Sequence, residues 1–245
     1  MTASELKELF NLRYNNALEG APGIDDYEIS LYLTSSQEEI VKGYADSEND
    51  ELLSFDLKEK ARRVLNELVK HEVITDATSS DRGLVSESVF YELEAEPLRI
   101  VLETATIDSS GTIYDGKVIT VVPTTYDQFM RSKDNPFRKP NTNKVLRLDI
   151  SKENSLTTVE LISEESLSAY TVRYIAVPSP IIITDLLTDD EFLGLGLTIN
   201  GNTSVATCAL NSSVHSEIVD RAVELATLDY RQGDLQSRVA LNKRV

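Results

Sequence analysis

LRIVLETATIDSSGTIYDGKVITVV, residues 98–122, is the segment from which the β part of the fold can be predicted. Apolar, often β-branched residues alternate with polar ones in its two halves, 98–107 and 112–122, as in strands with one buried face. Ser109, Ser110 and Gly111 separate the halves and supply residue types that favour a tight turn. The segment therefore predicts two neighbouring antiparallel strands.

Outward from this pair, similar alternation predicts further antiparallel strands separated by turn residues. They lie at residues 88–93, 144–149, 157–163, 170–177, 195–199 and 203–207. Asn200 and Gly201 predict a tight hairpin turn between the last two. A helical turn is expected at 124–130, and a Pro-rich loop at 131–143 interrupts the strands. We expect residues 84–210 to form an antiparallel β domain, either a β-sandwich or a barrel-like sheet.

The N-terminal part of the chain has the sequence pattern of helices. Four capping boxes, each a Thr or Asp followed three residues later by Glu or Gln, accompany apolar residues at helical spacing. The boxes begin at Thr2, Asp25, Thr34 and Asp56. Residues 20–23, Gly-Ala-Pro-Gly, separate the first two helices. We expect residues 1–83 to form a helical bundle, so that the fold class is α+β.

The chain returns to a helix near its C-terminus. Residues 211–230 have helical apolar spacing and capping residues at 211–213, and this helix is expected to pack with the bundle. The basic residues beyond it are Arg231, Arg238, Lys243 and Arg244. Because the rest of the chain is acidic, we expect residues 231–245 to form an extended basic arm for an acidic neighbour. A frayed terminus is the alternative.

Charge and composition argue against several classes of protein. The 245 residues carry a net charge of −17, and no Lys/Arg-rich stripe is recognised before the C-terminal segment. The main body therefore lacks the electrostatic footprint of a nucleic-acid binder. No apolar stretch approaches the length of a membrane span. Cys208 is the single cysteine, which excludes an internal disulfide and a multi-cysteine metal site. We expect no cofactor and no metal.

The reactive side chains do not form a recognised catalytic pattern. His71 is expected at the end of a helix and His215 in the first turn of the C-terminal helix, and the sequence identifies a catalytic partner for neither. The acidic runs at 25–26 and 189–191 leave hydrolysis of a glycosidic bond as a weak enzymatic alternative. We expect a protein that is not an enzyme.

Several segments resemble virion structural proteins of crAss-like tailed phages. They are residues 5–16, 21–30, 33–44, 135–140, 173–180, 208–210 and 215–226. The resemblance implies a neck ring, or head-to-tail adaptor, of a short-tailed virion. Such a protein forms a closed homo-oligomeric ring, commonly a dodecamer, that joins the portal protein to the tail and contacts other neck or tail rings. It surrounds the DNA channel without binding the passing genome specifically, and it is made in the bacterial host cytoplasm.

A closed ring needs two different, complementary faces on every subunit. The Pro-flanked loop offers Asn135, Pro136, Phe137 and Arg138 as one candidate contact, because aromatic and Arg residues are enriched at interface centres. A rigid surface loop is the alternative interpretation of these four residues. The basic arm is the other candidate face. A β-rich tail or head-decoration binding module is the alternative to a ring, and a tail-associated hydrolase is a third hypothesis.

Overall fold

The computed structural model describes residues 1–18, 22–45, 59–78, 83, 88–153 and 156–242, without the side chains of residues 132, 149–153, 156 and 232–242. The chain divides into two compact units, Met1–Leu68 with Pro178–Val245, and Val69–Val177. Helices dominate the first and strands the second, which confirms the α+β class. The boundaries differ from the expected ones because the first strand already begins at Val69, and because residues 178–210 belong to the helical unit.

Four of the five described α-helices belong to the helical unit. They are α1 (Ala3–Ala17), α2 (Asp26–Ala45), α3 (Glu59–Leu65) and α5 (His215–Asn242), whereas α4 (Tyr126–Ser132) lies in the strand unit. Helices α1 and α2 both pack against α5. The buried positions recur every three to four residues, as expected for one apolar face per helix. They include Leu6, Phe10 and Tyr14 on α1, Ile29, Leu33 and Val41 on α2, and Ile218, Ala222 and Ala226 on α5.

Local capping explains where the first two helices begin. Thr2 and Glu5 form the expected capping box, with the Glu5 N–H donating to the Thr2 hydroxyl at 3.2 Å. Asp25 accepts the Glu28 N–H at 2.7 Å and thereby caps α2. The helix expected to start at Thr34 is wrong, because this residue lies inside α2. Asp56 and residues 20–21 of the 20–23 break lie outside the described residues.

The last helix is longer than expected. α5 continues to Asn242 instead of ending at Tyr230, so the expected extended arm is wrong over residues 231–242. Residues 235–241 contain several good helix formers, and an isolated Gly233 costs only about 1 kcal/mol relative to Ala within a helix. Lys243 and Arg244 lie outside the described residues.

The strand unit is a single curled, seven-stranded mixed sheet that forms half a barrel. Its strands are β1 (Val69–Ile74), β2 (Ser88–Leu93), β3 (Pro97–Ile107), β4 (Val118–Pro123), β5 (Lys144–Glu153), β6 (Leu156–Ile162) and β7 (Leu167–Ala176). Their order is β1-β7-β3-β4-β5-β6-β2. The β-sandwich alternative is therefore wrong, and the barrel-like alternative is the closer one.

Two features of this sheet depart from the sequence expectation. β4 and β5 pair in parallel, so the sheet is not purely antiparallel. The reason is the crossover through α4, since parallel neighbours require a connection that returns the chain to the same end of the sheet. In addition, β1 occupies residues that were expected to be helical, and His71 lies exposed on β1 opposite Arg173. The expected position of His71 at a helix end is wrong.

Apolar side chains from alternate strand positions pack inside the curled sheet. Side chains at every second position share one face and pack into one cluster. Its buried members are Tyr91, Leu93, Ala105, Ile107, Ile119, Val121, Val145, Val159, Leu161, Tyr170, Val172, Tyr174 and Ala176. Thr78, just after β1, donates its N–H to the Phe90 carbonyl of β2 at 2.8 Å. This bridge brings the two ends of the strand order together.

One charged pair lies inside this apolar cluster. Arg147 Nε lies 3.1 Å and 3.0 Å from the two carboxylate oxygens of Glu103, and the Tyr170 hydroxyl donates to the same carboxylate at 3.0 Å. Burial raises the pKa of the Glu103 carboxyl above its ordinary value, while Arg147 and Tyr170 act in the opposite direction. Arg147 therefore reduces the free-energy cost of burying the ionised Glu103 carboxylate in this core.

In the helical unit, a polar stripe along α2 holds the extended segment that follows the sheet. We define this stripe as Asp26, Ser30, Thr34 and Gln37, which occupy one face of α2 at helical spacing. The Thr34 hydroxyl donates to the Ile181 carbonyl at 3.2 Å and accepts the Ile181 N–H at 3.1 Å. The other bonds of the stripe join Ser30 to Ile183 N–H, Gln37 to the Ser179 carbonyl and Asp26 to the Thr184 hydroxyl. The backbone of residues 179–183, of which 180–183 are buried, is thus paired with helix side chains on one edge.

On its other edge, the same segment makes a single bridge. Ile182 exchanges both backbone hydrogen bonds with Ala206, because successive peptide groups of an extended chain point to opposite sides. The expected tight turn is present, since Asn200 and Gly201 both have positive φ and Ile199 bridges Asn202. The strands expected at 195–199 and 203–207 are wrong: apart from isolated bridges, the structure has no strand there.

We expect the substitution Thr34→Val to lower the free energy of unfolding by about 1–3 kcal/mol, because it leaves two buried backbone groups of Ile181 without their partner. Thr198→Val is the matched control, since Thr198 is exposed, and it should change stability by less than about 0.5 kcal/mol. Urea unfolding of both variants makes the comparison, and equal losses would contradict the structural role of Thr34.

We also expect Arg147→Met to destabilise the protein in a pH-dependent manner. The pKa of Glu103 is raised in the folded protein, so ionisation of Glu103 opposes folding. The protein therefore loses stability as the pH rises through the folded-state pKa of Glu103. Without Arg147 the pKa of Glu103 rises further, so the loss should be smallest in acid, where Glu103 is protonated, and should grow toward about 3 kcal/mol as the pH rises.

Unfolding experiments over a series of pH values test the prediction, with the double variant Glu103→Gln, Arg147→Met as control. The glutamine side chain of this control cannot ionise, so the double variant should not show the growing loss. A loss for Arg147→Met that is independent of pH would mean that Arg147 acts through packing alone.

Candidate assembly surfaces

The Pro-flanked loop is an ordered structure that presents two exposed side chains. Asn135 closes it: its side-chain oxygen accepts the Phe137 N–H at 3.0 Å, and its carbonyl accepts the N–H groups of Arg138 and Lys139 at 3.0 Å and 2.9 Å. Phe137 is 88% exposed, and Arg138 is exposed beside it. The structure thus brings together the four residues expected from the sequence, with Asn135 in a structural position and Phe137 at the surface.

Two lysines fix this loop to its surroundings. Lys144 donates to the Phe137 carbonyl at 2.8 Å. Lys117, from the start of the neighbouring strand region, donates to the Thr142 carbonyl at 3.0 Å and to the Asn143 side chain at 2.6 Å. These bonds place the β3–β4 turn beside the loop, and that turn carries Ile113, which is 90% exposed. One end of the sheet therefore presents two large apolar side chains on braced loops.

The same region is the basic part of the strand unit, a signal that the sequence analysis missed. Residues 131–147 contain six Lys or Arg and one acid, Asp134, in a chain whose net charge is −17. The concentration was overlooked because it spans a helix end, a loop and a strand, and so lacks the periodicity of a basic helix face. Lys139 pairs with Glu164 at 3.3 Å, whereas Arg147 points into the core toward Glu103.

A pocket lies between α4, the loop and the β6–β7 turn. Phe129 of α4 packs on the outer face of the sheet against Leu146, Leu148 and Ile162. Next to this cluster is a pocket of about 250 Å³, hereafter the basic-rimmed pocket. Its lining residues are Phe129, Lys133, Lys139, Pro140, Ile162, Ser163 and Glu164. The pocket combines an apolar floor with two lysines and one glutamate, and its net charge of +1 suits an apolar group with acidic neighbours.

The C-terminal candidates are described only in part. Arg231 is exposed on α5, one residue after Tyr230, which is also exposed. Arg238 lies on the same helix, but its side chain is outside the description, as are Lys243 and Arg244. The role of these residues in contacts stays a prediction.

His215 and Asp26, which were considered for catalysis, have structural partners, and so has the single cysteine, Cys208. His215 is buried and its Nε2 lies 2.9 Å from the Leu210 carbonyl; because a carbonyl only accepts, Nε2 carries the proton. Burial raises the pKa of the Cys208 thiol, which disfavours the reactive thiolate. Asp26 accepts hydrogen bonds from Lys7 at 2.7 Å and Thr184 at 2.6 Å.

The other acidic run is also used locally. Asp189 accepts the Glu191 N–H at 2.9 Å and so stabilises a turn. Within the described ranges, no group of three or more His, Cys, Asp or Glu could hold a metal ion. None of the helices in the described residues has the length and apolarity needed to cross a bilayer.

Braced loops that present apolar side chains beside concentrated charge are typical of protein–protein contact surfaces, and they indicate a structural assembly protein. The chain belongs to the phage tail ring protein 3/4 family, whose model matches residues 1–237 and hence both units. It is similar to two proteins of Bacteroides phage crAss001. One is Ring protein 3, 37% identical over 211 residues that cover 85% of this chain and 87% of the relative. The other is Ring protein 4/5, 35% identical over 249 residues that cover 100% and 99%.

These findings confirm the resemblance to ring proteins of the neck or tail of crAss-like phages. They support a structural role in the virion and oligomeric assembly with other ring proteins. The surfaces described above are therefore considered as contacts within such an assembly.

We expect Phe137→Ser to weaken self-association while leaving the monomer fold intact. Because Phe137 is 88% exposed, its removal should change the free energy of unfolding by less than about 0.5 kcal/mol. Sedimentation velocity over a concentration series measures the association. Val73→Ser is the control, since Val73 is also exposed but lies on β1, away from the loop. Unchanged association of Phe137→Ser would return the loop to a purely structural role.

Proposed function

We propose that the protein forms a closed homo-oligomeric ring in the phage neck, where it joins the portal to the tail and surrounds the DNA channel. The observation that carries the proposal is the match over the whole chain to a protein named Ring protein 4/5, together with the second match to Ring protein 3. A match that includes both units means that the helical unit and the half-barrel are kept together as one subunit. The proposed copy number is twelve.

The charge distribution supports this arrangement. A net charge of −17 repels DNA, so an acidic body suits a conduit through which a genome passes without adhering. The basic residues at 131–147 then bind acidic protein surfaces at the contacts between subunits. In this proposal the basic loop region lies in contacts, and the channel wall is acidic.

The C-terminal end of α5 is the second proposed contact. Arg231, Arg238, Lys243 and Arg244 form a basic terminus on an acidic unit, and the helix carries the first two. Because residues 231–242 are helical, the proposed contact is a helix end rather than an extended arm. It would reach an acidic surface of a neighbouring copy, of the portal or of an adjoining ring.

Native mass spectrometry of the purified protein, alone and with portal protein, tests the proposal. We expect masses at a single multiple of the 27.3 kDa subunit, at twelve copies, and a complex with portal. A protein truncated after Tyr230 should keep its monomer fold and assemble less well. A persistent monomer with and without portal would contradict the ring.

Electron cryomicroscopy of the assembled ring tests the channel separately. We expect acidic side chains on the inner wall and residues 131–147 between subunits. A lumen lined by Lys and Arg would contradict the proposed conduit even if the ring itself were present.

A further inference from the structure

A second exposed apolar surface lies in the helical unit, on residues 185–196, hereafter the leucine loop. Leu187, Leu193 and Leu195 are 59%, 62% and 63% exposed. In contrast, Leu186 and Phe192 of the same loop are buried in a cluster with Ile182, Ile199 and the partly buried Tyr27. The loop is therefore anchored by two apolar side chains while three leucines face solvent.

The backbone of the leucine loop is fixed by its own acidic residues. Asp185 accepts the Leu187 and Thr188 N–H groups at 2.9 Å and 3.3 Å. The Asp189 carbonyl accepts the N–H groups of Phe192 and Leu193 at 3.1 Å and 2.9 Å. Such local bonding reduces the entropy that the loop would lose on binding a partner. The exposed leucines are thus presented on a preorganised loop.

Acidic residues surround these leucines. Asp189, Asp190 and Glu191 stand between Leu187 and Leu193, and Asp190 and Glu191 are exposed. The loop therefore complements the basic-rimmed pocket in polarity, and also in charge, because Lys133, Lys139 and Glu164 give the pocket lining a net charge of +1 even though Lys139 pairs with Glu164. The pocket volume of about 250 Å³ is below the range of about 300–1,000 Å³ typical of small-molecule sites, and it suits a single aliphatic side chain.

We propose that the leucine loop of one copy docks in the basic-rimmed pocket of the next copy, with a leucine on the apolar floor and the acidic residues against Lys133 and Lys139. The two surfaces belong to different units of the chain. A contact between unlike surfaces of identical chains is heterologous, and repetition of a heterologous contact generates a ring when the rotation closes. This inference rests on the proposed ring and specifies which surfaces join its subunits.

Charge favours a second copy over nucleic acid as the occupant of the pocket. A phosphate backbone would match the lysines but would leave the apolar floor of Phe129, Pro140 and Ile162 unused. The leucine loop satisfies both parts of the pocket. Two acidic surfaces of this protein would repel each other, whereas the acidic residues of the leucine loop are attracted to the lysines of the pocket rim. The exposed leucines can then be buried in the contact.

Two charge-reversed variants test the docking. Asp190→Lys with Glu191→Lys brings the net charge of residues 185–196 from −4 to 0 and places two exposed lysines beside the leucines, so that lysines of the loop face lysines of the pocket rim. Lys133→Glu with Lys139→Glu makes the pocket rim acidic, so that both surfaces of this second variant are negative. Asp189 is left unchanged because it holds the turn. Each variant alone should associate at least about tenfold more weakly than the unchanged protein in low salt.

Mixing the two variants provides the decisive measurement. In the mixture, the two introduced lysines of one variant's loop meet the acidic pocket rim of the other variant, and the remaining loop and pocket retain their original charges. We expect native mass spectrometry to show restored assemblies with the two chains in equal numbers. A chain that carries all four substitutions should likewise assemble, because its loop and pocket are complementary again.

The apolar half of the contact is tested by Leu193→Ser with Leu195→Ser, which should weaken association by about tenfold or more. Leu12→Ser is the matched control, since Leu12 on α1 is 59% exposed and lies outside the leucine loop. It should leave association unchanged. Circular dichroism and thermal unfolding of every variant verify that the monomers stay folded.

The outcomes separate this inference from the proposed function. If the unchanged protein forms rings and both charge-reversed variants do so equally well, the docking is wrong and the ring stands. If the unchanged protein stays monomeric with and without portal, both are wrong. If the unchanged protein binds duplex DNA, and Lys133→Glu with Lys139→Glu abolishes this binding but leaves assembly intact, the pocket rim binds nucleic acid and the docking is wrong.

Discussion

The helical unit depends on the pairing of α2 with an extended chain that arrives from the sheet. Residues 179–183 are largely buried, and a buried extended segment needs partners for its peptide groups. The polar stripe of α2 supplies them on one edge, and Ala206 supplies them on the other. Polar side chains inside a helix interface are normally unfavourable, but here Ser30, Thr34 and Gln37 bond backbone groups that have no strand neighbour on that edge. Without this pairing, the apolar contacts of the segment, such as that of the Ile182 cluster with Tyr27 of α2, would leave buried peptide groups without partners.

The half-barrel follows a different constraint. Its interior is mainly apolar, and the buried side chains of the interior alternate along β2, β3, β4, β6 and β7, so hydrophobic burial accounts for most of the packing inside the curled sheet. Glu103 and Arg147 are the exception, and their mutual pairing makes a charge acceptable inside this core. The crossover through α4 adds the parallel pair and leaves a helix on the outer face. That helix, with the following loop, creates the pocket and the basic surface through which the strand unit is proposed to meet another copy.

Much of the site could be predicted only as residue types. Asn135 to Arg138 were recognisable as a loop with interface residues, but the bracing by Lys117 and Lys144 joins positions far apart in sequence. The basic surface was missed because its residues come from a helix, a loop and a strand, and no single periodicity connects them. Strands expected near 195–199 and 203–207 failed for a related reason. Ile199 and Ala206 of these segments pack in an apolar cluster of loop residues, and each segment has only isolated bridges instead of a neighbouring strand.

The sequence by itself determined the α+β class, the capping of the first two helices, the alternation of the sheet strands and the ring-protein family. Each of these can be recognised from the local spacing of residue types or from similarity along the chain. Only the tertiary structure decided that residues 69–74 join a sheet, that 178–210 pack with helices and that α5 runs to Asn242. These outcomes depend on which distant backbone groups and apolar faces become available as partners. Local propensity does not contain that information.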